Sequence, residues 1–163
     1  ISGNLVFFIG RSIEDNAKLK YVNCEVKRKR FLPVYMGKEY PNTVLLVEGV
    51  FDAIAVNLVG FSAIPLLSMD ITELQLFALL GIGFEKIVIS LDPNEFNSSL
   101  KLYQKLTKVG LNPYVILRDG LDIDCIGLAA IKELVKGVLA LNPESQREVL
   151  LRGKIDGLLK ARR

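Results

Sequence analysis

The sequence predicts an α/β domain: a parallel sheet with helices on both faces, preceded by a small β-rich accessory segment. Three observations predict it. From residue 44 onward the apolar pattern alternates strand and helix as β-α-β-α-β-α-β-α. The strand segments are unbroken apolar runs, Val44-Leu45-Leu46-Val47 and Ile87-Val88-Ile89, as in strands covered on both faces. Acids with a glycine or proline then follow three of these runs, which is turn chemistry at strand ends.

Residues 3–10 read as a strand closed by Gly10, with Arg11-Ser12-Ile13 prolonging it. Glu14-Asp15-Asn16-Ala17-Lys18 is a polar turn, and 19–23 returns as a hairpin partner. Lys27-Arg28-Lys29-Arg30 is a run of cations with two readings. It is either a solvated loop or a phosphate-contacting patch, with Phe31 and Tyr35 placed to stack on bases. Pro41-Asn42 breaks the chain before the first core strand. That strand runs out at Glu48, Gly49 turns the backbone, and Asp52 falls in the first turn of a helix over 50–59. Its apolar positions are Ile54, Val56, Leu58 and Val59, and Gly60 ends it.

A second strand covers 61–67, and Ser68-Met69-Asp70 leads into a helix over 71–80 with Asp70 or Thr72 as N-cap. Gly81 and Gly83 punctuate its end. Strand 86–91 runs into Asp92-Pro93-Asn94-Glu95, where Pro93 suits a turn or a first helical position. The next helix spans 95–109, apolar at Leu100, Leu102, Tyr103, Leu106 and Val109, with Gly110 as C-cap. A fourth strand covers 112–117 and opens into a third acidic loop, Arg118-Asp119-Gly120-Leu121-Asp122-Ile123-Asp124. Residues 126–141 are helical, 144–159 form a last amphipathic helix begun by Pro143, and a basic tail closes the chain.

Composition removes whole classes of chemistry. The 163 residues hold no histidine, which excludes histidine triads, HExxH metal sites and histidine general bases. Cys24 and Cys125 stand far apart with no CxxC pair, so a zinc site is not expected and reduced thiols are. Any metal must then be held by oxygens, which points to Mg²⁺ or Mn²⁺. A net charge of +3 permits nucleic-acid binding without arguing for it. No apolar run reaches the roughly 20 residues of a membrane span, and no signal peptide is visible.

What remains is carboxylates. Glu48 and Asp52, then Asp92, Asn94 and Glu95, then Asp119, Asp122 and Asp124 stand in three strand-end loops. In open α/β sheets ligands bind at that edge. The plain alternative is that Glu48 and Asp52 only cap a helix and the others are scattered surface acids. Crowded acids repel unless a cation sits among them, and a divalent ion there would also clamp a phosphate.

The segments Val47-Glu48-Gly49-Val50-Phe51-Asp52, Ser90-Leu91-Asp92-Pro93-Asn94 and Leu117-Arg118-Asp119-Gly120-Leu121-Asp122-Ile123-Asp124 follow one another in a recognisable order. Their order and spacing resemble the Toprim domain, the catalytic module shared by primases, topoisomerases and some nucleases. More narrowly they resemble its DnaG-type primase branch, phage primase–helicases included. They stand at that branch's V-E-G-x-x-D, D-x-D and L-P-D-G-x-D-P-D motifs. The upstream pieces Phe8-Ile9-Gly10-Arg11 and Lys20-Tyr21-Val22-Asn23 are similar to the segment preceding Toprim in these primases, and the resemblance covers residues 4–140.

The resemblance implies an α/β, Toprim-like (Rossmann-like) fold. In that reading residues 1–43 are the end of a primase N-terminal subdomain, 44–141 the Toprim domain and 142–163 a C-terminal amphipathic helix. It implies a DNA primase, a nucleotidyltransferase that makes RNA primers on single-stranded DNA during DNA replication. The chain would be a piece of a larger enzyme whose zinc-binding template reader and helicase part lie elsewhere. Mg²⁺ (or Mn²⁺) is the implied cofactor. A single-stranded DNA template, NTPs and a replicative helicase are the implied partners, with no membrane. The implied setting is cytoplasmic, in a bacterium or, for a phage protein, in its host. Carried over by position, Glu48 and Asp92 are catalytic, with Glu48 in general acid–base work. Glu48, Asp92, Asn94, Asp52, Asp122 and Asp124 are the metal ligands or their supports, and Asp119 shapes its loop. Arg11, Lys27, Arg28, Lys29 and Arg30 steer phosphates.

One departure stands out. Asn94 occupies the place of the second acid of D-x-D, which removes a formal charge, and Glu95 beside it is a substitute in a different direction. Two alternatives therefore stay open: a non-catalytic Toprim that binds nucleic acid or assembles with partners, and a Toprim nuclease. The D-G-x-D-x-D loop counts against the nuclease.

Overall fold

The computed structural model describes residues 8–14, 16–19, 21–23, 32–118, 120–141 and 148. The start of the first strand, Cys24, the basic run Lys27 to Arg30 with Phe31, Asp119 and the expected helix 144–159 lie outside the described residues. The elements are β1 (Ile9–Arg11), β2 (Tyr21–Asn23), β3 (Tyr40–Val47), α1 (Val50–Leu58), β4 (Phe61–Pro65) and α2 (Glu73–Ile82). After them come β5 (Lys86–Ser90), α3 (Phe96–Lys108), β6 (Tyr114–Val115), a short 3₁₀ helix (Ile123–Cys125) and α4 (Leu128–Leu139).

The expected hairpin forms as the antiparallel pair β1–β2. The remaining strands make a four-stranded sheet, ordered β4-β3-β5-β6, with every pair parallel. Leu46, Ile64, Ile87 and Ile89 point to one face, where Leu76 and Leu79 of α2 and Leu102 and Leu106 of α3 close a core. Leu45, Val47, Ala63 and Val88 point to the other, where Ala53 and Val56 of α1, Ile123 and Ile131 and Val135 of α4 close a second one. Burying each such Leu or Ile contributes roughly 1.5–3 kcal/mol, so both faces drive the sheet together. The fold class read from the sequence is the one observed.

Boundaries differ in instructive ways. Pro41 and Asn42 do not break the chain but lie inside β3, whose register against β4 shifts between Tyr40 and Val44. A proline without an N–H is tolerated where the ladder is already irregular. The fourth strand shrinks from 112–117 to Tyr114–Val115, an edge strand entered through Pro113. In α1 the buried positions are Asp52, Ala53, Ala55 and Val56; of the four apolar positions read from the sequence, Val56 and Val59 are buried and Ile54 and Leu58 are exposed. Two alanines let this helix pack close to the sheet, and the face they occupy sets the rotation of the rest. Gly81 lies within α2, and Gly83 (φ 75°) caps it in the left-handed conformation.

Thr72, one of two N-cap candidates, is the cap: its hydroxyl accepts the Gln75 amide while Gln75 Oε1 accepts the Thr72 amide. Thr72→Ala is expected to cost about 1 kcal/mol. In a chain of this size that is a fall of about 2–4 °C in Tm, readable by thermal denaturation.

Candidate active site

The chain leaves β3 into α1 on one face of the sheet and leaves β5 into α3 on the other. β3 and β5 are hydrogen-bonded neighbours, with Val47 opposite Ser90. The two loops therefore diverge between adjacent strands, which opens a crevice at the carboxyl edge. Glu48 stands on one side of it, one residue beyond Val47, and Asp92 on the other, two beyond Ser90. β6, next to β5, delivers Arg118 and the third acidic loop to the same edge.

Local chemistry holds each piece. Asp52 is buried in the first turn of α1, and its Oδ2 accepts the Gly49 amide at 3.0 Å. The backbone amide and the carboxylate of Asp124 both act on the Asp52 carboxyl, which puts the third loop beside α1. Ile123, fully buried, anchors that loop in the core between the flanking acids. Glu95 caps the start of α3, its Oε2 accepting the Ser98 hydroxyl at 2.7 Å. Asn94 is exposed and takes φ 73°, a left-handed conformation that asparagine tolerates.

The acids act on one another. Burial, then the charges of Asp92, Glu95, Asp52 and Asp122, hold the Glu48 carboxyl above the ordinary glutamate range. Burial raises Asp52, opposed by its bond from Gly49 and reinforced by the charges of Asp124 and Asp122. Asp92 is pushed up to about 6 by burial and by Asp122 and Asp52, against the pull of Arg118. The structure thus brings Glu48, Asp52, Asp92, Asp122 and Asp124 into one electrostatic unit. Glu95 joins it, while Asn94 brings no charge.

Arg11 is also near. Its guanidinium lies 5.1 Å from the centre of the Phe51 ring, in the first turn of α1 between Glu48 and Asp52. Tyr35, expected to stack on bases, is instead half-buried against the core and exchanges backbone hydrogen bonds with Ala63. The residue that the sequence reading passed over is Arg118. Its Nη1 donates to the Leu121 carbonyl at 2.7 Å and its Nη2 to the Leu91 carbonyl at 3.1 Å, inside the acid cluster. The available signal was a cation in the third acidic loop at the motif's proline position.

The donor set is made of oxygens, the chemistry of Mg²⁺ or Mn²⁺. Among the described residues no three acids are grouped so as to hold an ion by themselves. Magnesium does not require that: it is commonly held by one or two carboxylates, with waters and substrate phosphates completing its octahedron. Glu48 and Asp92 fit this mode. Asp52 fits it less well, because it is buried and the Gly49 amide already occupies one of its carboxylate oxygens.

No protein-family model matches the chain, and no curated protein matches it in sequence. Solved structures do. The zinc-binding and RNA polymerase domains of the Aquifex aeolicus primase align with a TM-score of 0.64 and 24% identity, over 83% of this chain and 37% of that one. The DnaG primase catalytic domain bound to single-stranded DNA aligns with a TM-score of 0.65 and 22% identity, over 83% of this chain and 49% of that one. The chain therefore has the fold of DnaG-type primase catalytic domains and spans less than half the length of either matched structure.

Proposed function

We propose that this chain carries the nucleotidyl-transfer centre of a DNA primase, a Toprim domain that uses Mg²⁺ or Mn²⁺ to join NTPs on a single-stranded DNA template. The observation that carries the reading is the placement of Glu48 and Asp92 on neighbouring strand ends at the crevice of a primase-type fold. In the reaction a 3′-oxygen forms a bond to the α-phosphorus of an NTP. The bond to the β-phosphate oxygen breaks, and pyrophosphate leaves. Glu48, held above the usual carboxylate range, would take the hydroxyl proton. Asp92 with Glu48 would hold the divalent ion, which neutralises charge on the attacking and leaving oxygens. Asp122 and Asp124 would support the site from the third loop, with Asp52 beside them in the first turn of α1. Arg11 at the rim, with Lys27 to Arg30, would steer phosphates. A replicative helicase as partner, and further domains of a larger enzyme, rest on the resemblance in sequence motifs.

A second reading is a nucleic-acid-binding or assembly module, favoured by Asn94, which is neutral and exposed where the motif has an acid. One experiment separates the readings. The protein is incubated with a single-stranded template, labelled NTPs and Mn²⁺ or Mg²⁺. Labelled oligoribonucleotides are expected, and chelator or Glu48→Gln should abolish them. DNA binding that persists in chelator with no product would favour the binding module. Template cleavage without NTPs would favour a nuclease.

A further inference from the structure

We infer that Arg118 is a built-in cation of the acidic site, so placed that the site takes a single divalent ion. This deepens the primase reading and rests on it. Arg118 stands one strand further along the same edge, and its planar fork reaches in two directions. One nitrogen bonds the Leu91 carbonyl, immediately before Asp92, and the other bonds the Leu121 carbonyl, immediately before Asp122. The guanidinium is thereby tied to the residue before each of two acids, Asp92 and Asp122. Both bonds go to carbonyls. Its charge is not consumed by one carboxylate but is shared among Asp52, Asp122, Asp92 and Asp124. Nε is buried with no hydrogen-bond partner among the described residues. A guanidinium cannot shed its charge in a protein, so it remains a fixed positive centre there.

Charge counting gives the rest. Against the D-x-D and L-P-D-G-x-D-P-D patterns, this chain exchanges an acid for Asn94 and a proline for Arg118. The first removes one negative charge and the second adds one positive charge. Together they change the site by the charge of one divalent ion. A metal-free cluster so altered repels itself less, and it attracts a further cation less. The competing explanation is mechanical: Arg118 only pins its loop through two carbonyls. The two explanations predict opposite responses to neutralising it, because loosening a loop weakens metal binding while removing a competing cation strengthens it.

The test is Mn²⁺ titration by calorimetry on the protein and on Arg118→Gln and Arg118→Lys, each first confirmed as folded by thermal denaturation. The unchanged protein is expected to take one Mn²⁺. Arg118→Gln should bind Mn²⁺ about tenfold more tightly or take a second equivalent, the scale of a unit charge acting on a divalent ion through partly screened protein. Arg118→Lys, which keeps the charge but not the fork, should behave as the unchanged protein. Arg118→Gln binding equally or more weakly, or Arg118→Lys failing to restore the original affinity, would overturn the inference and leave the primase reading standing. Absence of saturable binding in the unchanged protein would overturn the metal centre itself.

Discussion

Asp92→Asn is expected to melt at a higher temperature than the unchanged protein at pH 7.5 without metal and, on the proposed function, to have lost nucleotidyl transfer. In the fold the Asp92 carboxyl is pushed up to about 6 by burial and by Asp122 and Asp52. The unfolded chain binds its proton only below the ordinary aspartate range, near 4. Between these values the folded state holds more protons than the unfolded one, so stability falls as pH rises through the window. Above about pH 6 the penalty is fully present, because the ionised group has left water for a cluster of like charges. Asparagine removes it. Partial exposure of Asp92 moderates the gain through solvent screening, and about 1 kcal/mol corresponds to about 2–4 °C in Tm. The gap between the two proteins should close as pH is lowered to 4. Primer synthesis, in contrast, should drop by about 10²–10³, the scale of losing one preorganised electrostatic contact. Mg²⁺ should raise the Tm of the unchanged protein more than that of the variant. A variant that melts lower at pH 7.5 would show that the Asp92 charge stabilises the fold and has no strained role.

Glu48 and Asp52 are raised in the same direction, so the metal-free protein as a whole should be more stable at pH 5 than at pH 7.5. That concentration of unfavourable charge is what a fold avoids unless something binds there.

The strand-end acids were legible because strands buried on both faces leave an unbroken apolar signature. Val44 to Val47 and Ile87 to Ile89 can be read without knowing their neighbours, and the acid after each marks the edge. The adjacency of β3 and β5, which turns two edges into one crevice, depends on the crossover of α2 and has no local signature. The face that α1 turns to the sheet has no local signature for a related reason. Ile54 and Leu58 are more apolar than Ala53 and Ala55, yet the helix approaches the sheet through its small residues, and only packing reveals that preference. Tyr35 stands near the basic run in sequence, which suggests a stacking platform, but its backbone pairs with β4, a long-range contact that no local pattern marks. Arg118 was visible as a letter and invisible as a site residue, since a cation amid acids reads as surface compensation until its carbonyl partners are known.

Gly37→Ala is expected to be the most damaging glycine-to-alanine change among the described residues. Gly37 is buried beside β4, and its amide donates to Ser62 Oγ at 2.9 Å. A Cβ there would lie 2.4 Å from the Gly60 carbonyl oxygen, 2.4 Å from the Phe61 carbonyl carbon and 2.5 Å from the Ser62 nitrogen. All three are backbone, so no rotamer change relieves the clash. β4 cannot retreat, because Phe61, Ser62 and Ala63 are buried and Ser62 to Pro65 are paired with β3. The segment before β3 must move instead. It would then lose the Tyr35–Ala63 hydrogen bonds, those of Glu39 and Tyr40 to Gly60, and the Ser62 bond to Pro41. Overpacking with lost backbone bonds puts the cost at about 3 kcal/mol or more. At this chain length that is a fall in Tm of about 6–12 °C. Gly81→Ala is the matched control: it lies within α2, an added Cβ there meets nothing within 4 Å, and its φ is not positive. That substitution should raise Tm by a few degrees, through roughly 0.8–1 kcal/mol of helix propensity. The same methyl group thus carries opposite signs at two glycines, and equal shifts in the two variants would refute the close packing of the segment before β3 against β4.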